Sequence, residues 1–232
     1  PPAMFPITTL LVLVPLLPLL GAIATVCLGR RLGDRAWLPA VAGIGAAAVA
    51  ALLVLLGTAG AVSGGHGEQA RPVEMWTELW NWARIGDAGA SDTTTPPPAA
   101  GTATAAFSIP VVLRVDPLTA TLLTIITGVG LLVAIYSIGY MHGDPGYPRF
   151  FALVSMFVFS MTMLVAASNF LLVYVFWEAV GACSYLLIGF WFTKPEAARA
   201  AKKAFLVNRV GDFGLAIATF LLWMTYGTLD FH

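Results

Sequence analysis

The sequence predicts an all-α protein: a polytopic membrane helix bundle of about six spanning helices, with one long extracytoplasmic loop. Three observations predict it. Apolar residues make up 59% of the chain and charged residues 10%, where a soluble domain carries about 25% charged residues. Mean hydropathy is +0.85. The apolar residues are gathered into runs of about 18–25, and a helix rising 1.5 Å per residue needs about 20 to cross a hydrocarbon layer of about 30 Å.

Composition also excludes function classes. Net charge is zero, which argues against a polybasic nucleic-acid reader. The two cysteines, Cys27 and Cys183, both fall in apolar runs. Without a CxxC or a His/Cys cluster, neither a zinc site nor an iron–sulfur site is supported, and no metal ligands are assigned. No GxGxxG follows a strand pattern, so a nucleotide fold is not supported either.

The first span covers 7–28 and tolerates Pro15 and Pro18, as membrane helices do. Ala22-Ile23-Ala24 loosely resembles a signal-peptide cleavage site, but no basic residue precedes the apolar run, so it is read as a span. A turn at 29–36 with Arg30, Arg31 and Arg35 leads to a second span at 37–56. These two spans form a first unit, 1–56.

The second unit, 57–115, is the extracytoplasmic loop. Within it Trp76, Leu79 and Trp80 stand at helical spacing, which predicts an interfacial or packed helix. The stretch 87–106 is rich in Ala, Thr and Pro and is read as an exposed extended insert without chemistry. Residues 107–115 alternate weakly and read as a short strand, which Pro110 restricts to an edge.

The third unit, 116–232, holds four spans. Asp116-Pro117 is a helix start, with Asp at the cap and Pro in the first turn. The third span runs to Tyr140, and Gly128 and Gly130 within it predict close packing. A loop at 141–149, a fourth span at 150–167 and a tight Ser168-Asn169 turn precede the fifth span, 170–192. A basic turn at 193–203 then leads to the sixth span at 204–226. The turns 29–36, 141–149 and 193–203 hold eight Lys/Arg against three Asp/Glu, whereas 57–115 holds three Arg against five acids. The positive-inside rule therefore predicts cytoplasmic odd turns and an extracytoplasmic N-terminus.

Ionisable residues inside spans are costly and mark function more often than elsewhere. Glu178 lies eight residues into the fifth span, about 12 Å along the helix axis. Burial favours its neutral acid, and a nearby cation favours its carboxylate. A group that a movable cation can push either way suits proton translocation. The competing reading is a neutral Glu hydrogen-bonded to another helix. In the sixth span Arg209 and Asp212 are three apart and predict a pair on one face. That pair is either structural or a polar node of a proton route. Lys202 and Lys203 read equally well as orientation signals that snorkel to the interface. His142 reads as a surface residue.

The segments FWEAVGACSYLLIGFWF (176–192) and AFLVNRVGDFG (204–214) resemble the largest antiporter-like membrane subunit of respiratory complex I, the NADH–quinone oxidoreductase chain 5 or L type. Asp116-Pro117-Leu118-Thr119, Tyr136-Ser137-Ile138-Gly139-Tyr140-Met141 and Arg149-Phe150-Phe151 fit the same family in the same order. The resemblance covers most of 107–232 and, more loosely, 7–56. It implies that the third unit begins a proton-translocating antiporter-like domain, and that the chain is an N-terminal fragment of a longer subunit. It implies proton-translocation roles for Glu178, Lys203, Arg209 and Asp212. It implies an enzyme role only as part of a NADH:quinone oxidoreductase complex. NADH, FMN, iron–sulfur clusters and quinone are then expected in partner subunits, with no cofactor in this chain. The expected partners are the other membrane and peripheral subunits and the lipid bilayer, without nucleic acid, in a bacterial plasma membrane. Ala134 departs from the pattern, standing where many of these subunits have histidine. It brings the chain closer to multi-subunit Na⁺/H⁺ antiporters, the competing function, alongside relatives coupled to inorganic-carbon uptake. The NRVGD segment favours the first reading.

Overall fold

The computed structural model describes residues 7–63, 74–85 and 107–231. The helices are α1 (Ile7–Leu32), α2 (Trp37–Ser63), α3 (Pro117–Tyr140), α4 (Tyr147–Ala166), α5 (Phe170–Ile188) and α6 (Pro195–Tyr226). All six are long and apolar enough to cross a membrane. An antiparallel hairpin of β1 (Met75–Ile85) and β2 (Phe107–Val115) stands between α2 and α3. The 87–106 insert, His66 and His232 lie outside the described residues.

Helix α4 is the centre of the bundle, packing against α1, α2, α3 and α5. Its Phe151 is fully buried and its Val158 nearly so. Its Ser155 hydroxyl donates to the Pro18 carbonyl of α1 at 2.7 Å. Helix α2 presents a buried stripe of Ala40, Ile44, Ala47, Ala51, Val54 and Thr58, a spacing of three and four that puts one small-residue face inward. Gly21 and Gly43 bring α1 and α2 into backbone contact. A Cβ on Gly43 would lie 2.6 Å from the Leu17 carbonyl oxygen, and one on Gly21 2.8 Å from that of Pro39. Among lipid-like surroundings small residues are what allow such approach.

Helix starts follow the sequence where a cap is present. Asp116 Oδ1 accepts from the Thr119 N–H at 2.6 Å, with Pro117 in the first turn. The Ser168-Asn169 turn is as tight as read. Asn169 Oδ1 accepts from the Leu172 N–H at 2.8 Å, while its Nδ2 donates to the Pro110 carbonyl at 3.1 Å. Asn169 thereby caps α5 and anchors the hairpin at once. The segment after α6 returns to the same turn: Phe170 N donates to Leu229 O, and Phe231 N to Ser168 O.

Three expectations are corrected. Residues 75–85 form a strand, not a helix. Trp76 and Trp80 are four apart, a spacing that a regular strand accommodates on one face as readily as a helix does, although here the register slip between them changes the alternation. The test is Leu79, which would join them on a helix. Instead Leu79 packs into the core with Met75, while Trp80 is 56% exposed. The register slips between Glu78 and Trp80 and again between Asn81 and Ala83, with Pro110 opposite Asn81. Bulges and sheet edges are where a strand accepts a residue lacking an N–H. The basic turn read at 193–203 is also shorter, because α6 begins at Pro195 and carries both lysines on its first turns. Finally, Gly130 does admit a close neighbour, with its Cβ position 2.9 Å from Val158 Cγ2, but the Gly128 Cβ position faces open space.

Candidate proton-relay site

The site lies between α5 and α6. The Asn169 cap fixes where α5 begins, and Glu178 follows about 12 Å along the axis. Helix α6 runs unbroken past that level and ends at Gly227, whose φ of 70° closes the helix in the left-handed conformation. Two polar bonds cross the helix pair side by side. Arg209 Nη1 donates to Glu178 Oε2 at 2.5 Å, and Trp177 Nε1 donates to Asp212 Oδ1 at 2.9 Å.

This pairing differs from the expected one. Arg209 and Asp212 can meet along one helix, but each finds its partner across the interface instead. A guanidinium and a carboxylate on different helices join those helices as well as neutralising each other. Asp212 is buried, at 6% exposed, and is satisfied by an indole rather than by a cation. The Arg209 guanidinium also lies 4.8 Å from the Phe205 ring centroid, and Phe205 packs on Tyr185. The second carboxylate oxygen of Glu178, Oε1, is buried without a hydrogen-bond partner. It is the atom on which an added proton would leave the arginine contact in place.

Lys203 is not drawn into this cluster. It stands six residues before Arg209 and is exposed, which places it about 9 Å away along the axis and about 120° round the helix. Lys202, seven residues before, falls on the Arg209 face. It lines a cavity of about 200 Å³ with Tyr185, Gly189 and Ala201. Trp177 is the member of this cluster that reading the sequence missed. Its signal was present, since an indole N–H inside a span requires an acceptor. The Tyr174 hydroxyl, one turn before Glu178, faces the Glu178 carboxylate as a hydrogen-bond partner, with Arg209 and Asp212 close by. Ala134 is fully buried beside Ile44, Val154 and Val158. Among the described residues no three metal-ligating side chains converge.

Two loop carboxylates frame the bundle. The Trp191 indole and the Gly146 N–H hold Asp144 below the usual carboxylate range, against slight burial and with help from Arg149. Burial works against the charge on Asp116, but the Thr119 N–H and the Arg114 guanidinium outweigh it and hold that carboxyl low as well. Arg114 lies within 6 Å of both the Trp76 and Phe231 rings, at 5.8 and 5.9 Å. The hairpin, the start of α3 and the segment after α6 therefore meet on one guanidinium.

Comparison with known proteins agrees with this architecture. Residues 102–151 match the family described as NADH-Ubiquinone oxidoreductase (complex I), chain 5 N-terminus. Residues 167–232 match that described as NADH:quinone oxidoreductase/Mrp antiporter, TM. NADH-quinone oxidoreductase subunit L of Escherichia coli (strain K12) is 38% identical over 223 residues, which is 96% of this chain and 32% of the relative. Subunit L of Mycobacterium tuberculosis (strain ATCC 25618 / H37Rv) is 55% identical over 119 residues, 51% of this chain and 19% of the relative. Among solved structures, the Mrp complex from Dietzia sp. DQ12-45-1b aligns over 95% of this chain and 20% of its own, at TM-score 0.66 and 24% identity. An archaeal membrane-bound sulfane sulfur reductase aligns over 95% and 38%, at TM-score 0.62 and 19% identity. Those two likenesses concern the fold. The chain spans about a third or less of the length of the curated relatives it matches. By its sequence the chain belongs to the antiporter-like subunit L/chain 5 family of NADH–quinone oxidoreductases.

Proposed function

We propose that this chain is the part of a proton-translocating membrane subunit that holds its central carboxylate. The subunit works within a NADH–quinone oxidoreductase whose redox chemistry takes place in other subunits. One observation carries the reading. Glu178, deep in α5, is held by Arg209 on one oxygen and keeps its other oxygen buried, with the Tyr174 hydroxyl as the nearby group that can bond the carboxylate. Arginine stays charged at any physiological pH, so it stabilises the carboxylate while it is near and releases it toward proton uptake when it swings away. Asp212, held by Trp177, is the next acceptor on α6. Lys203 serves at the mouth of the route on the side of the odd turns, with Lys202 on the face that leads to Arg209. The 116–232 unit is then the catalytic portion, and 1–56 and the 57–115 loop its packing partners. The membrane is the bacterial plasma membrane, with the odd turns on the cytoplasmic side.

The test is Glu178→Gln in the assembled complex. NADH-driven proton uptake into inverted vesicles is expected to be lost while the complex still assembles. Unchanged pumping would leave Glu178 a structural residue. The family description covering 167–232 also names Mrp antiporters, which supports a second reading as a cation/proton antiporter subunit. That reading expects the chain's gene to restore growth in high Na⁺ without NADH-driven pumping.

A further inference from the structure

A second built feature lies away from the relay, at the end of the bundle where the odd turns gather. A cavity of about 690 Å³ opens between the end of α1, the start of α4 and the turn after α5. Its lining includes Arg30 from α1 and Arg149 from α4, with Trp191 from the turn after α5. Its apolar wall is Val26, Ala152 and Leu153, which descends from the rim along α1 and α4 into the spans. Val26 is 70% exposed.

The rim is cationic and is held in place. Arg149 Nη2 donates to the Phe190 carbonyl at 2.7 Å, and its guanidinium lies 4.6 Å from the Phe190 ring centroid and 5.2 Å from that of Phe192. Lys194 adds a third cation, 4.9 Å from the Trp191 ring centroid. The acid lining the cavity, Asp144, is already engaged: Oδ1 accepts from Gly146 N at 2.7 Å and Oδ2 from Trp191 Nε1 at 2.9 Å. The ion pairs among the described residues are Arg114–Asp116 and Arg209–Glu178, so neither rim arginine is in an ion pair, and Arg149 acts on Asp144 only at longer range. Guanidinium groups with free N–H donors match phosphate oxygens.

We propose that this groove is a binding site for an anionic phospholipid, with the headgroup phosphate between Arg30 and Arg149 and an acyl chain along Val26 and Leu153. The cations at the rim outnumber its one acid, Asp144, so charge complementarity favours an anion. The apolar wall running into the spans requires that the anion carry a hydrocarbon chain, which a free phosphate lacks. Tryptophan at the level of the rim is the side chain that favours a headgroup boundary. Basic pockets between spans are where anionic headgroups bind.

The test uses the chain in its assembled complex, in membranes holding phosphatidylglycerol and phosphatidylethanolamine in known proportion. A benzophenone amino acid placed at Val26 is irradiated and the attached lipid identified by mass. Phosphatidylglycerol is expected to be captured several-fold above its share of the membrane. Arg30→Gln is expected to cut that enrichment by about fivefold, the effect of one basic residue near an anionic surface. Arg149→Gln should act in the same direction. Because it also breaks the bond to Phe190, the exposed Arg30 carries the result alone if that variant fails to assemble. Capture of lipids in proportion to their abundance, enrichment that survives Arg30→Gln, or capture of a neighbouring protein would each overturn the proposal.

Discussion

Arg209→Gln, taken through a double-mutant cycle with Glu178→Gln, tests the cross-helix pair most directly. Unit charges about 4 Å apart attract by about 4 kcal/mol at an effective dielectric constant of 20. The pair is not sealed: the Arg209 side chain is 49% exposed and that of Glu178 21%. Screening at such openness reduces the coupling to about 1 kcal/mol. The assay is unfolding of the chain in mixed micelles by added SDS, followed by loss of helical circular dichroism, for wild type, both single variants and the double. Each single change leaves one charge without its partner, so each alone should cost more than its share of the double. If the four free energies add within about 0.5 kcal/mol, the two side chains do not interact and Arg209 pairs elsewhere.

Three further outcomes follow from the same contacts. Trp177→Phe keeps the ring but removes the donor to Asp212, leaving a buried carboxylate short of a partner; a loss of about 1–3 kcal/mol is expected in the same titration. Gly43→Ala places a methyl group 2.6 Å from the Leu17 carbonyl oxygen; it should force α1 and α2 apart at a cost of about 1–3 kcal/mol, whereas Gly128→Ala, facing open space, should cost nothing measurable. Asp116 and Asp144 bind protons more weakly folded than unfolded, so their stabilisation is full above the ordinary carboxylate value of 3.8 and fades as pH falls through their lower folded values. Protease cleavage at the loop ends should accordingly rise below about pH 4, and Asp116→Asn should blunt that rise.

The number and order of the spans, the Asp116-Pro117 start, the Ser168-Asn169 turn and the depth of Glu178 were all determined by the sequence alone. Each depends on a local quantity: the length of an apolar run, a cap residue beside a proline, or a count of residues along one helix. What only the tertiary structure decided depends on partners far away in the chain. Trp76 and Trp80 fit either periodicity until β2 arrives from thirty or so residues downstream and supplies the hydrogen bonds that choose a strand. Arg209 could reach Asp212 along its own helix, yet it joins Glu178 because α5 lies alongside and offers a carboxylate otherwise without a cation. That the two lysines have a helical phase relative to Arg209 at all was likewise settled by the structure, because α6 begins at Pro195 and runs unbroken through them; their spacings of seven and six residues then put Lys202, not Lys203, on the Arg209 face.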